Sequence, residues 1–270
     1  MGRKTTASGS KSTAMGQNTI ASGDTSTAMG YLTTASGRRS TAMGAYTTAS
    51  GDYSTAMGYY TTASGDFSTA SGEGTTASGM ISTAMGAGTT ANGMFSTAMG
   101  YFITASDRSS LIIGQHNLLG STVTNSATDF SLENTAFVIG NGTNSANRSD
   151  ALVVKFNGDA TLAGNLNINS DARLKSNIIS LGSTLSKLLQ IDGKSYTMKK
   201  DESEKQKIGL LAQDIEKVFP ELVSESHGVK SVNYQGLVPV LINALKEQES
   251  KYLKQEKRLE RLERLVAAMD

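Results

Sequence analysis

Glycine recurs at every seventh position from Gly2 to Gly100, and this spacing restricts the fold more than any other feature of the chain. Alanine stands two places before each glycine from Gly9 onward, and the heptads alternate between two kinds, TTASG and STAMG. Such sequences make poor helices, and a helical heptad would need large apolar residues at two positions. A short β-compatible run, a glycine and two variable residues instead predict a strand and a corner. Two strands and two corners in each 14-residue repeat predict one coil of a narrow parallel β-solenoid.

The side chains of each strand are predicted to divide between the inside and the outside of the coil. Alternation along S-T-A-M-G places Ser, Ala and Gly on one face and Thr and Met on the other. We expect the small face to line the lumen, because only small residues fit between two sheets that close on each other. A buried alanine methyl contributes about 0.8 kcal/mol, whereas ordering one backbone residue costs about 1–2 kcal/mol. A single roll is therefore expected to need further burial.

One methionine in nearly every coil stands on the outer face, and stacking of the coils would align these side chains into a ladder. Packing of the ladder against copies of itself would supply the missing burial, so we expect a cyclic homo-oligomer. Three rolls, each facing a common axis, are the natural number. Ser71 replaces methionine once, and the predicted trimer-axis ladder comprises Met15, Met29, Met43, Met57, Met85 and Met99.

Sequence variation is concentrated in the two residues at each corner, where aromatic residues recur. Stacked coils would align these corners into ladders about 4.8 Å apart. Two interpretations are open: contact with a ligand, either sugar or protein, or lateral packing between protomers. The candidate contact residues are Tyr31, Tyr46, Tyr53, Tyr59, Tyr60, Phe67, Phe95 and Tyr101. The corner aspartates Asp24, Asp52 and Asp66 are expected to be solvated, because the calcium-binding run G-G-x-G-x-D is absent.

The 14-residue pattern over residues 1–106 resembles the left-handed β-roll head of trimeric, YadA-like autotransporter adhesins. The later SLIIG, at 110–114, is predicted to be a last echo of it. The resemblance implies a trimeric β-roll in the N-terminal half, although Thr and Met stand where such heads usually have Val and Ile. Residues 107–169 lose the period, and their short apolar runs between NG and GD turns predict hairpins of an irregular β connector.

The C-terminal part is predicted to be α+β and to end in a long helix. The expected elements are a helix over 180–191, a strand over 193–200, a solvated loop over 200–207, a helix ended by Pro220, a further strand, and a coiled-coil helix over about 236–270. The coiled-coil seam would combine Leu245, Tyr252, Leu259 and Val266 with Gln248, Gln255, Leu262 and Met269. A lone amphipathic helix is the alternative.

Three ordered blocks in this part carry a second resemblance. SDARLKSNI, IGLLAQDIEKVFPELV and VNYQGLVPVLINALKEQ resemble the C-terminal intramolecular chaperone domain, peptidase S74, of endosialidase-type phage tailspikes, which also occurs on other tail fibres and on bacterial fibres. The resemblance covers 170–270 and implies a trimeric folding clamp that cuts itself from the finished fibre. It places the cut between Asn169 and Ser170, with Lys175 assisting.

The chemistry of the first block agrees with that implication. A serine hydroxyl such as that of Ser170 needs a base, and lysine serves near neutral pH only where burial or cationic neighbours favour its neutral form. Spacing by five residues puts Ser170 and Lys175 on different faces of a helix or a strand, so a loop must fold back. Arg173 could assist, and Asp171 could orient Lys175 or pair with Arg173; Asn177 is a further supporting candidate. The alternative is a surface turn with ion pairs.

Composition excludes several other classes of function. A net charge of +1 favours no nucleic-acid partner, and the absence of cysteine excludes disulfides. No apolar run approaches the roughly 18–20 residues of a membrane span, so no membrane insertion is expected. MGRKTTASG has no apolar core for a signal peptide, so the protein leaves the cell by another route or is a fragment. We expect no metal and no cofactor, and we expect His116 and His227 to be structural.

Together these features predict a homotrimeric fibre segment on a phage virion or a cell surface. It would comprise a head over 1–106, a neck over 107–169 and a chaperone domain over 170–270, and it would attach to an unknown glycan or protein receptor. Any enzymatic activity would be a single-turnover self-cleavage by a serine peptidase. The alternative is a non-cleaving fibre whose C-terminal domain stays attached as a trimerisation cap or binding tip.

Overall fold

The structure is a computed structural model, and it describes residues 2–120, 127–199 and 204–268. The chain forms two compact units, Met1–Ile168 and Asn169–Asp270. The first unit consists of β-strands, and the second combines short strands with helices.

Strands of two lengths alternate along the first unit and confirm the predicted solenoid of about eight coils with 14 residues each. Eight two-residue strands form one parallel sheet: Thr6–Ala7, Ile20–Ala21, Thr34–Ala35, Thr48–Ala49, Thr62–Ala63, Thr76–Ala77, Thr90–Ala91 and Thr104–Ala105. The facing parallel sheet contains the five-residue strands Thr13–Gln17, Thr27–Tyr31, Thr41–Ala45, Thr55–Tyr59, Thr69–Glu73, Thr83–Ala87, Thr97–Tyr101 and Leu111–Gln115. In chain order these sixteen strands are β1 to β16.

The register between coils is uniform, so equivalent residues of successive repeats lie side by side. Met15 pairs with Met29, and Met85 pairs with Met99, each partner lying 14 residues further along the chain. Ser71 occupies the row between Met57 and Met85. The methionines therefore form the row that the repeat predicted, interrupted once by Ser71.

The lumen is lined by alanine, as expected, but it also contains threonine, which was not expected. The alanines that stand two places before the repeat glycines are fully buried from Ala21 onward, as is Ala105, and so are the serines that open the STAMG-type heptads from Ser26 to Ser96. From the second coil onward, the first threonine of the other heptad is fully buried too: Thr19, Thr33, Thr47, Thr61, Thr75 and Thr89. Alternation in the TTASG strand points this threonine inward with the alanine and turns the second threonine and the serine outward. The threonine of the STAMG strands lies outward as expected, but the expectation that only small residues fit the lumen was wrong for the other heptad.

Close stacking of the coils explains why both heptads end in glycine. A Cβ on Gly65 would lie 2.1 Å from the carbonyl oxygen of Gly79 in the next coil. Gly58 is exposed rather than luminal, yet a Cβ there would lie 2.0 Å from the Gly72 oxygen, and its φ of +120° also favours glycine. The MG glycines are therefore needed for backbone contact and not, as we expected, to line the lumen.

The corners place a residue in the left-handed region at every seventh position from Lys4 to His116. Glycine fills only two of these positions, Gly74 and Gly88, so bulky residues such as Tyr60 (φ 53°) adopt positive φ. The corner aspartates are not merely solvated. Asp24 accepts a hydrogen bond from the Ser10 amide at 3.0 Å, Asp52 from Arg38 at 2.9 Å and Asp66 from Asp52 at 2.9 Å, so each links two coils.

Within the described part of the chain, three more strands extend the sheet of five-residue strands to eleven. The predicted echo SLIIG forms β16, which pairs in parallel with β14, with Leu111 opposite Thr97. Strand β17 (Thr135–Asn141) adds in parallel, and β18 (Asp150–Lys155) and β19 (Ala160–Leu162) follow in antiparallel fashion, as the hairpin signals of this segment indicated.

The described residues of the second unit form two small hairpins and three α-helices. The strands are β20 (Lys194–Tyr196), β21 (Lys207–Gly209), β22 (Val223–Ser226) and β23 (Val229–Val232), and the helices are α1 (Leu185–Leu188), α2 (Ala212–Val218) and α3 (Leu237–Ala267). Helix α2 ends before Pro220, and the long last helix is confirmed. The helix predicted over 180–191 was too long, because Gly182 has a φ of +63° and the helix begins only after Thr184. Met269 and residues 200–203 of the predicted loop lie outside the described residues.

A small core holds the second unit together. Ile215, Phe219 and Val240 are buried against each other, with Leu188 and Leu210 packed around them. The Thr184 hydroxyl donates to the Val240 carbonyl at 2.8 Å and so ties the start of α1 to α3. Most of α3 beyond this core lies exposed in the single chain.

Candidate functional site

The predicted cleavage segment opens the second unit as an exposed stretch with one tight turn. A 3-10 turn spans Ala172–Leu174, and the Asp171 side chain accepts from the Arg173 amide at its start. The Lys175 amide donates to the Ala172 carbonyl at 3.1 Å, which closes the turn. The chain therefore reverses within a few residues, as the sequence argument required.

This turn brings the two predicted catalytic residues together. Lys175 Nζ donates a hydrogen bond to Ser170 Oγ at 2.7 Å. The serine and the lysine amine are thus within direct proton-transfer distance. When the amine is neutral, its lone pair can accept the hydroxyl proton, so the arrangement is that of a serine nucleophile beside a lysine base.

The acidic residue of the segment binds Arg173 and not Lys175. Arg173 Nη2 lies 2.6 Å from Asp171 Oδ2, and Arg173 Nε lies 3.1 Å from both carboxylate oxygens. The guanidinium lowers the pKa of Asp171, and the carboxylate in turn raises the pKa of Arg173. Of the two roles considered for Asp171, pairing with Arg173 is the one that the structure contains.

Asn177 and Asn169 are placed less specifically. Asn177 has a φ of +53° and, among the described residues, no hydrogen bond to Ser170 or Lys175. Asn169 is exposed next to the serine. Residues 164–183 are exposed throughout, so the single chain does not shield the dyad from water.

The methionine row lies uncovered on the single chain. Met15, Met85 and Met99 are each 43% exposed, and Met29, Met43 and Met57 are half-buried. Helix α3 also carries an uncovered apolar stripe. Its residues, each at least half exposed, are Leu245, Tyr252, Leu259, Leu262 and Val266. Both apolar stripes are therefore free to pack against another surface.

The aromatic corner residues form stacks instead of isolated side chains. Tyr46 and Tyr60 stack with ring centroids 4.5 Å apart, and Tyr31 and Tyr59 meet Tyr46 edge-on. Across the other corner row, Tyr53 stacks on Phe67 at 4.8 Å. Tyr101 meets Phe102 edge-on at 4.7 Å, and the Arg108 guanidinium lies 5.2 Å from the Phe95 ring centre.

Two arginines join these stacks, although the sequence did not identify them as candidates. The guanidinium carbons of Arg38 and Arg39 lie 5.6 and 5.1 Å from the Tyr53 ring centre, and Arg38 also pairs with Asp52 at 3.3 Å. Their position one coil before Asp52 and Tyr53 was the available signal, since the 14-residue register makes them neighbours.

The described residues include neither a metal-binding cluster nor a membrane-spanning helix. These contain no cluster of three or more His, Cys, Asp or Glu side chains suited to a metal. None of the helices in the described ranges has the length and apolar character needed to cross a bilayer. His116 is buried and stacks on Phe102 at 5.4 Å, whereas His227 lies exposed beside Ser226.

Comparison with known families agrees with the two-part organisation. The family model described as YadA head domain repeat matches residues 1–19, 7–33, 35–61, 63–89 and 77–102, and the model described as Chaperone of endosialidase, Peptidase_S74, matches residues 170–224. No curated protein matched the chain. The second match includes the Ser170–Lys175 contact and begins at the serine itself. The chain thus joins an N-terminal array similar to YadA head repeats to a segment similar to the endosialidase chaperone.

Proposed function

We propose that this chain is part of a homotrimeric attachment fibre whose C-terminal domain directs assembly and then releases itself by cutting between Asn169 and Ser170. The two family matches fit a trimeric fibre or adhesin with a C-terminal chaperone. The observation that carries the cutting step is the 2.7 Å contact between Lys175 Nζ and Ser170 Oγ within the chaperone match. In this proposal, residues 1–106 are the head, 107–169 the neck and 170–270 the chaperone domain.

Trimer formation is supported by the two uncovered apolar stripes. A lumen of alanine, serine and threonine buries little apolar area, so the methionine row would add what a single roll lacks. Identical rows that meet on an axis produce a closed cyclic oligomer. On α3, apolar residues at heptad spacing are the pattern by which helices associate into a coiled coil.

In the proposed cut, the Ser170 hydroxyl proton moves to the neutral amine of Lys175 while Oγ bonds to the carbonyl carbon of Asn169. The bond between that carbon and the Ser170 nitrogen then breaks, and the nitrogen takes up the proton. The peptide has become an ester with a free α-amino group. One water molecule hydrolyses this ester, which leaves a carboxylate on Asn169 and restores the Ser170 hydroxyl.

Assembly would complete this site. A lysine becomes a useful base near neutral pH where burial or cationic neighbours disfavour its charged form. Since Ser170 and Lys175 are exposed in the single chain, neighbouring protomers would have to cover them. Cleavage would then follow assembly, and its rate would not depend on protein concentration once trimers exist.

The cut is tested by the intact mass of purified protein and by one matched pair of variants. We expect wild-type protein to lose residues 170–270, Ser170→Ala to stay at full mass, and Lys175→Ala to be cut much more slowly. All three should form trimers, because these exposed side chains bury little surface. Ser176→Ala, an equally exposed serine of the same segment, is the control and should be cut normally. A Ser170→Ala chain that is still cut there would refute the mechanism.

The full exposure of the dyad favours a second candidate, in which the C-terminal domain never cuts and remains a trimerisation cap or binding tip. Wild-type protein that stays at full mass after trimers form would establish this alternative. In both cases we propose a virion or extracellular fibre, and the stacked corner aromatics either contact a glycan or protein receptor or pack between protomers.

A further inference from the structure

The turn that joins Ser170 to Lys175 is held by a residue that takes no direct part in the proposed cut. The Asp171 carboxylate accepts the Arg173 amide at 2.9 Å and so caps the 3-10 turn. Side-chain caps of this kind favour the turn, because they satisfy an amide that the first turn leaves without a partner. The Asp171 side chain therefore supports the turn that brings Lys175 to Ser170.

The Arg173 side chain forms an ion pair with the same carboxylate. Its guanidinium contacts both oxygens, at 2.6 and 3.1 Å on Oδ2 and at 3.1 Å on Oδ1. Arg173 and Lys175 are the only cations in the sequence from 165 to 181, and Asp171 is the only acid there. The Asp171 carboxylate thus has two possible cationic partners, and in the structure it pairs with Arg173.

We propose that Asp171 and Arg173 are positioning residues for the cleavage dyad: Asp171 closes the turn that places Lys175 on Ser170, and Arg173 keeps the Asp171 carboxylate from pairing with the lysine. This inference rests on the proposed cut and adds two residues that position Lys175 for it. An aspartate beside a lysine stabilises the ammonium form, which has no lone pair for the serine proton. Among the described residues, no carboxylate lies within ion-pair distance of Lys175, and its hydrogen-bond partner is Ser170.

The test measures the rate of cutting in assembled full-length trimers between about pH 6 and 9. Arg173→Gln frees the carboxylate, so we expect cutting to slow about tenfold near neutral pH and to recover as the pH rises. A change that only loosened the turn would lower the rate by the same factor at every pH. Asp171→Ala removes the cap and should do that, whereas Asp171→Asn keeps a capping oxygen and should stay within about threefold of wild type.

The decisive variant combines Asp171→Asn with Arg173→Gln. It has no carboxylate to capture the lysine, so the pH profile should return to that of the wild type. Light scattering on each variant establishes that trimers are present before rates are compared. An Arg173→Gln profile parallel to that of the wild type, or a double variant that keeps the shifted profile, would overturn the inference while leaving the cut intact. Wild-type protein that is never cut would overturn the proposed function and this inference together.

Discussion

Buried threonine hydroxyls in the lumen of the roll affect its stability. Thr61 is fully buried, and within the described part of the chain its Oγ1 has no hydrogen-bond partner. The same holds for the equivalent threonines Thr33, Thr47, Thr75 and Thr89. A buried hydroxyl without a partner costs about 1–3 kcal/mol, whereas a methyl of similar size would not carry this penalty. Threonine is therefore an unfavourable choice at this position for stability alone.

We predict that Thr61→Val raises the free energy of unfolding, by about 1 kcal/mol per chain, because it replaces the unpaired hydroxyl by a methyl group. The rise appears as a higher Tm in thermal unfolding of the assembled protein. Thr62→Val, on the outward-facing neighbour, is the matched control and should change Tm little. A clear drop in Tm for Thr61→Val would show that the hydroxyl is bonded in the assembled fibre.

The sequence predicts the conformation and contacts of a residue where a single local constraint acts on it. It does not predict them where two constraints compete. The spacing of Ala and Gly predicted the coil, because alternation and close stacking act on every repeat alike. It did not predict that Tyr46 and Tyr60 take positive φ, since both glycines of a coil are already needed for backbone contact. For Ser170 and Lys175, the sequence indicated that a loop must fold back to bring the two side chains together, as the turn does, but the choice of Arg173 as partner of Asp171 depends on the turn itself.

At the scale of elements, the start of α1 is fixed by a carboxylate from α3. Glu247 accepts the Ser183 hydroxyl at 2.6 Å, the Leu185 amide at 3.2 Å and the Thr184 amide. These three donors occupy the N-terminus of a helix only four residues long. Sequence alone gave no indication of this, because Glu247 lies between heptad positions on α3 and has the pattern of a solvated residue.

These bonds hold the pKa of Glu247 below its ordinary value of 4.5, chiefly through the Ser183 hydroxyl and the Thr184 amide. The folded state therefore favours the charged form, so its stabilising effect is present above the ordinary value and is lost as the pH falls through the lowered one. We expect Glu247→Gln to lower the Tm of the second unit at neutral pH and to differ little from wild type in strong acid. Glu249→Gln, an exposed neighbour, should behave as wild type at both. An equal loss of Tm at both pH values would contradict a role for the charge.

In an assembled fibre, the regularity of the roll creates a problem of register between chains. Alanine, serine and threonine repeat in the lumen, and methionine repeats outside, so a shift of one chain by a whole coil matches nearly the same residues. Such slips cost little per coil in a repeat protein. Within the methionine row, Ser71 marks one coil, and the other distinguishing features lie at the corners, where residues differ from coil to coil, as in the Tyr53–Phe67 stack.

The second unit has the non-repeating sequence that the roll lacks, and its long helix offers an exposed apolar stripe for association. If three such units associate first, they align the three chains with one another. The coils can then form one after another from the neck in a single register. Loss of the unit after folding would make assembly effectively irreversible, because a melted fibre could not find its register again. This order of events distinguishes a chaperone from a passive cap.

We therefore predict that a chain lacking residues 170–270 fails to reach a single assembled state. Refolding of this truncated chain should give aggregates and species of mixed mass by light scattering, because each slipped pairing is nearly as stable as the correct one. Full-length Ser170→Ala, which keeps the unit attached, is the matched control and should give uniform particles of three chains. After melting, the control should recover these particles, whereas wild-type fibre that has already been cut should not. A truncated chain that refolds from the denatured state into uniform trimers would show that the roll sets its own register and that the C-terminal unit is not needed for assembly.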